Sequence, residues 1–180
     1  MKPERAMLLD LGSSMAGSIA LRRILEAHFA IAGPTKIDPD DQPESEFERE
    51  LESMIRQFEP RLVFISSIGN EMKFASSLLS SIKQCASEIP VIAVIDGGAP
   101  TQALELIEAG AADFVTMPLQ ATDVLARAWR LLKQNSARER TNSEAAQSHS
   151  KLIGNSPNFL QQVVKIPLIA GSAANVSRSG

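Results

Sequence analysis

Oxygen-bearing side chains stand at the ends of apolar runs in this chain, and they define the chemistry open to it. Asp10 closes Ala6-Met7-Leu8-Leu9 and precedes Leu11, Gly12, Ser13 and Ser14. Ser66 and Ser67 close Leu62-Val63-Phe64-Ile65, and Asp96, Gly97 and Gly98 follow Ala93-Val94-Ile95. Carboxylates such as Asp10 and Asp96 can ligate a hard divalent cation through oxygen. Serine and glycine together can cradle an anion on backbone N–H groups. Covalent chemistry at Ser66 would need a base, because a serine hydroxyl does not ionise near neutral pH. Neither His28 nor His149 stands in a motif relation to it. The chain has no G-x-G-x-x-G, complete Walker loop, nucleophile elbow or His/Cys metal spacing. Asp10 then reads most simply as a polar residue left at a sheet edge, and Asp96 as the cap of a following helix or turn.

Composition narrows the class. At 180 residues and 44% hydrophobic, the chain can bury one core and leave a tail. With 18 basic and 21 acidic residues, net -3, it carries no overall electrostatic footprint for nucleic acid. One cysteine, Cys85, excludes an intrachain disulfide and fits a reducing compartment. No run approaches the ~18 apolar residues needed to cross a bilayer, and the first residues lack the apolar stretch of a signal peptide. A soluble, cytoplasmic protein without membrane contacts is expected.

The polar residues must be positioned by alternating strands and helices. Strands are expected at 6–9, around 29–31, and at 61–65, 90–95 and 113–116. Helices are expected at 15–27, 45–58, 71–86, 100–108 and 121–133. The second helix shows Phe47, Leu51, Met54, Ile55 and Phe58 at amphipathic spacing, with Ser45 as N-cap and Glu48 as its capping-box partner. Between Pro34 and Pro43 a polar loop is expected, and Gly110 reads as the residue ending the fourth helix. Near-continuous apolar strands and right-handed crossovers predict an α/β fold: a doubly wound, five-stranded parallel sheet of flavodoxin-like type with helices on both faces. Residues 134–150 hold no large apolar side chain and read as a linker or a helical extension. From Leu152 the chain turns apolar again.

Two local signatures carry a family resemblance. Pro60-Arg61-Leu62-Val63-Phe64-Ile65-Ser66 is similar to the third strand of response-regulator receiver domains, where the last position is a phosphate-accepting Asp. Glu108-Ala109-Gly110-Ala111-Ala112-Asp113-Phe114-Val115-Thr116-Met117-Pro118-Leu119 resembles the family's Gly-Ala-x-Asp run into Lys-Pro, with Met117 in place of the lysine. The family's switch Ser/Thr falls at Ile95, and a second acid near Asp10 is replaced by Leu11. Further on, Leu152-Ile153-Gly154-Asn155-Ser156-Pro157 and Ile166-Pro167-Leu168-Ile169-Ala170 resemble the opening of the AAA+ domain of sigma-54-dependent transcription activators of the NtrC type.

The resemblance implies a degenerate receiver domain at 1–133, a linker at 134–150 and the start of an AAA+ sigma-54 interaction domain at 151–180. Asp10, Leu11, Ser66, Ile95 and Met117 would occupy the altered phosphorylation site. Without a nucleophilic carboxylate, an ammonium group or a full metal shell, phosphoryl transfer is not expected. No catalysis, metal or cofactor is expected of these residues, since ATPase activity would belong to the remainder of an AAA+ domain. Family modules signal through the fourth helix, fifth strand and fifth helix. That face would include Leu104, Ile107, Phe114, Leu119, Leu125 and Trp129, with a homodimer and the protein's own AAA+ domain as partners and no direct nucleic-acid contact. The alternative is a small-ligand or anion-binding domain using the sheet's C-terminal edge. Arg127, Arg130, Lys133, Arg138 and Arg140 read as a solvated helix face.

Overall fold

The computed structural model describes residues 3–11, 16–37, 44–68, 72–95, 97 and 100–154. The chain divides into two compact units, Met1–Ala137 and Arg138–Gly180. Among the described residues the first unit alternates strand and helix: β1 (Glu4–Asp10), α1 (Ala16–Leu25), β2 (Phe29–Lys36), α2 (Glu44–Phe58), β3 (Leu62–Ile68), α3 (Met72–Cys85), β4 (Val91–Ile95), α4 (Pro100–Glu108), β5 (Asp113–Thr116) and α5 (Ala121–Gly154). The strands form one all-parallel sheet in the order β2-β1-β3-β4-β5. This is the doubly wound arrangement expected from apolar strands that must be covered on both faces.

Alternation along the strands sorts the core into two layers. Met7, Leu9, Val63, Ile65, Val91, Ala93 and Ile95 pack with Leu51 and Ile55 of α2, Leu78 and Ile82 of α3, and Leu106 of α4. Ala6, Leu8, Leu62, Phe64, Ile92, Val94 and Val115 pack with Leu21 and Leu25 of α1 and Val124, Ala128, Leu131 and Leu132 of α5. Removing a fully buried side chain such as Phe64 would lose contacts on one of these layers alone, because the sheet separates them.

Several boundaries differ from the sequence pattern. β2 does not stop near Ile31 but continues through Gly33-Pro34 to Lys36, so the expected loop loses its first residues; its remainder, 38–43, lies outside the described residues. Pro34 is tolerated because β2 is an edge strand and the β1·β2 register shifts there: Met7 pairs with Ala32, but Leu9 pairs with Thr35. α2 begins at Glu44, which places Ser45 inside the first turn rather than at the N-cap. Glu48 is engaged elsewhere, its Oε1 accepting the Ser81 hydroxyl of α3 at 3.1 Å. α5 continues past Lys133 to Gly154, through the stretch 134–150 read as a linker or a helical extension, since residues 134–153 contain neither proline nor glycine to stop it. In the second unit, the described backbone of residues 138–154 is helical, and residues 138–143 are exposed.

Candidate functional site

The sheet register brings the altered positions together at its C-terminal edge. Asp10 pairs directly with Ser66 across β1·β3, and Ile95 pairs with Thr116 across β4·β5. The Leu11 amide donates to the Ser66 carbonyl at 3.1 Å, and the Met117 amide donates to the Ile95 carbonyl at 3.0 Å. Between β3 and β4 the register slips: Ile65 pairs with Ala93 but Ile68 with Ile95, so two residues, Ser66 and Ser67, oppose the single Val94. Asp10, Leu11, Ser66, Ile95 and Met117 therefore share one edge. Asp96, Gly12, Ser13, Ser14 and Gly98, expected around the same edge, lie outside the described residues.

Among the described residues of this edge, Asp10, Leu11, Ser66 and Ile95 offer almost nothing to solvent. Asp10 and Ser66 are 0% exposed, as is Ser18 on α1. Leu11 and Ile95 belong to the core layer under α2, α3 and α4, while Met117 packs against the layer under α1 and α5. The Ser66 hydroxyl donates to the Leu9 carbonyl at 3.2 Å. Its oxygen also forms a close hydrogen bond with the Ser18 hydroxyl. A hydroxyl has one proton to give. With that of Ser66 committed to Leu9, the Ser18 hydroxyl is the donor to Ser66. Ser66 is thus held as a structural polar group, with its proton bound to backbone and its oxygen capped by a second serine.

Sequence reasoning missed Ser18. Its signal was present, because Ser18, Leu21 and Leu25 form the buried stripe of α1 at i, i+3 and i+7. A serine on an apolar stripe requires a buried hydrogen-bond partner. Missed too were the partners of Asp113. Its carboxylate, at the start of β5, accepts from the Phe114 amide and Arg127 Nη1, both at 2.8 Å, and from Arg130 Nη2. Arg127 also binds Asp123 at 2.8 Å and lies 6.0 Å from the Phe114 ring centroid. The Asp123 hydrogen bond holds the Arg127 guanidinium above its ordinary range against the opposing effect of burial. These arginines clasp α5 to β5, so this part of the basic face is not simply solvated.

The proposed interaction face is divided by the fold. Leu104 and Ile107 on α4 are 59% and 40% exposed. Phe114 packs partly against the layer under α2, α3 and α4, whereas Leu119, Leu125 and Trp129 pack against the opposite layer. Trp129 stacks on Phe29 at the start of β2, with ring centroids 5.1 Å apart, which points it away from α4. Two surface clefts lie elsewhere. One, of ≈ 280 Å³, is lined by Val115, Thr116, Pro118, Leu119, Gln120, Asp123 and Val124; the other, of ≈ 410 Å³, involves Met7, Ala32, Thr35, Met54, Gln57 and Phe58. Neither reaches Asp10 or Ser66. Among the described residues no group of three His, Cys, Asp or Glu side chains is arranged to hold a metal ion, and no helix is long and apolar enough to cross a membrane.

No protein-family model and no curated protein matches the chain. Solved structures do. NtrX from Brucella abortus, in complex with ADP, is similar with a TM-score of 0.61 and 22% identity, over 89% of this chain and 34% of that one. The chain thus spans about a third of the NtrX structure. A CheY-like protein (TadZ) from Pseudomonas aeruginosa PAO1 matches with a TM-score of 0.55 and 20% identity, over 71% of this chain and 93% of that one. The N-terminal signal receiver domain of a two-component response regulator from Bacteroides fragilis matches with a TM-score of 0.54 and 19% identity, over 72% and 98%. Identity at this level speaks for the fold, and the sheet order, the parallel pairing and the two helical layers agree with it: the chain has the fold of a response-regulator receiver domain.

Proposed function

We propose that residues 1–133 form a regulatory receiver-like domain that acts without phosphorylation, through protein contacts, in a sigma-54-dependent transcription regulator of the NtrC type. The observation that carries this reading is Ser66. It stands where the family has its acceptor carboxylate, is fully buried, and commits its hydroxyl to Leu9 and Ser18. Ile95 and Met117 supply neither hydroxyl nor ammonium group for phosphoryl oxygens. Residues 134–150 serve as the connecting segment, and 151–180 as the opening of an AAA+ domain, on the sequence motifs alone. The domain is cytoplasmic and neither hydrolyses nucleotide nor binds DNA by itself.

The test is a titration with beryllofluoride and Mg²⁺, or with acetyl phosphate and Mg²⁺, followed by NMR. No saturable shifts are expected around Asp10, Ser66 and Met117. Saturation there would end the reading.

The partner is a second copy of the domain, meeting it through the α4 side. Exposed Leu104 and Ile107 stand at i, i+3 on a helix whose other exposed residues include Glu105 and Glu108. On the opposite face of the sheet α5 contributes Arg130, which is bonded to Asp113 of its own chain and keeps 54% of its side chain exposed. A two-fold axis could set α4 acids of one copy against α5 bases of the other around an apolar centre. Leu104→Arg with Ile107→Arg is expected to shift sedimentation from dimer towards monomer by tenfold or more in dissociation constant, roughly the effect of losing 1.4 kcal/mol. An unchanged sedimentation profile would place the contact elsewhere.

A further inference from the structure

We propose that Ser18 and Ser66 form a closed hydroxyl lock that ties α1 to the C-terminal edge of the sheet and bars small donors and cations from position 66. This rests on the functional reading above and deepens it: the site is not merely short of catalytic groups, it is shut by this chain's own first helix. Three elements meet there. Ser18 comes from α1, Ser66 from β3 and the Leu9 carbonyl from β1, and the hydrogen bonds run in one direction from helix to sheet. Both hydroxyls are 0% exposed, and so is the neighbouring Asp10. The same strand end holds the Leu11 amide against the Ser66 carbonyl, at 3.1 Å. Parting Ser18 from Ser66 by moving α1 off the sheet would break the helix's buried polar contact and uncover the layer beneath Leu21 and Leu25.

The lock predicts slow access, and the chain carries its own reference for measuring it. Cys85 is its single cysteine and is exposed at the end of α3. Burial, with the Glu52 and Glu48 carboxylates, pushes the Cys85 thiol up, so it is a slow reference and the comparison is conservative. In the full chain carrying Ser66→Cys, iodoacetamide followed by peptide mass spectrometry should modify the thiol at position 66 about 100-fold or more slowly than Cys85. Comparable rates in a variant that retains cooperative melting would overturn the proposal.

Amide exchange decides independently if that variant does not fold. Ser18→Ala should speed exchange of the Leu11 amide by about tenfold, whereas Ser80→Ala, which removes an exposed hydroxyl bonded to Ser76, should leave it unchanged. Leu11 exchange within twofold of the parent chain in Ser18→Ala would also overturn it. If thiol access is fast while the beryllofluoride titration stays silent, the lock fails and the functional reading stands.

Discussion

Ser66→Asp is expected to destabilise the domain by about 3 kcal/mol or more, rather than to recreate a phosphate acceptor. The side chain at 66 is fully buried, and its environment is built for a donor. The present hydroxyl gives its proton to the Leu9 carbonyl. An ionised carboxylate has no proton to give, so it would set oxygen against oxygen at that contact. It would also stand beside Asp10, its direct register partner, which is fully buried as well. A like charge so placed adds to the cost of ionising the introduced carboxyl. Urea denaturation at neutral pH should show a lower midpoint with an unchanged slope. The sign with pH follows from burial. The introduced carboxyl would have its pKa raised in the fold, so its destabilisation is full above that raised value, shrinks relative to the parent chain as pH falls from there, and is gone below the ordinary carboxylate range. Adding Asp10→Asn to Ser66→Asp should recover about 1 kcal/mol or more, since it removes one of the two charges. A Ser66→Asp chain as stable as its parent, with or without Asp10→Asn, would show that the edge is open and solvated.

The elements that were legible in sequence are those with strong local punctuation. α4 and β5 fall where Pro100, Gly110 and Pro118 bound them, and the amphipathic spacing of α2 gives its buried Leu51 and Ile55 directly. β2 was curtailed because Gly33-Pro34 reads as a loop, when it is a bulge on an edge strand that needs no amide from Pro34. The positions Asp10, Ser66, Ile95 and Met117 were legible from spacing, since strand ends in a parallel sheet converge whatever residues they carry. Their closure was not. It depends on Ser18, which is 48 residues from Ser66 and meets it only through the packing of α1 on the sheet. Trp129 shows the same limit: its helical stripe announced burial, yet only the fold directs the ring to Phe29 rather than to the α4 side. A helix stripe gives the azimuth of a residue, and tertiary packing decides which neighbour fills it.

The β2 bulge makes Gly33→Ala the other large expected loss, about 2–4 kcal/mol. Gly33 has φ 93°, a left-handed conformation that side-chain-bearing residues adopt only at a cost. A Cβ placed there would lie 2.4 Å from the Leu8 carbonyl oxygen and 2.8 Å from the Thr35 amide nitrogen. Both are backbone atoms inside the β1·β2 ladder, so neither can swing aside as a side-chain end would. The carbonyl of Gly33 also accepts from Arg22 Nη1 at 2.8 Å, which ties α1 to the same bulge. Gly97→Ala provides the control. Gly97 has φ 67°, yet nothing lies within 4 Å of a Cβ built on it, so that change should cost only the conformational part, about 1 kcal/mol. Thermal melts of the two variants would separate backbone strain from collision. If Gly33→Ala is no worse than Gly97→Ala, the close approach of β2 to Leu8 is relieved by a shift of the edge strand, and the bulge does not hold β1 and β2 in register.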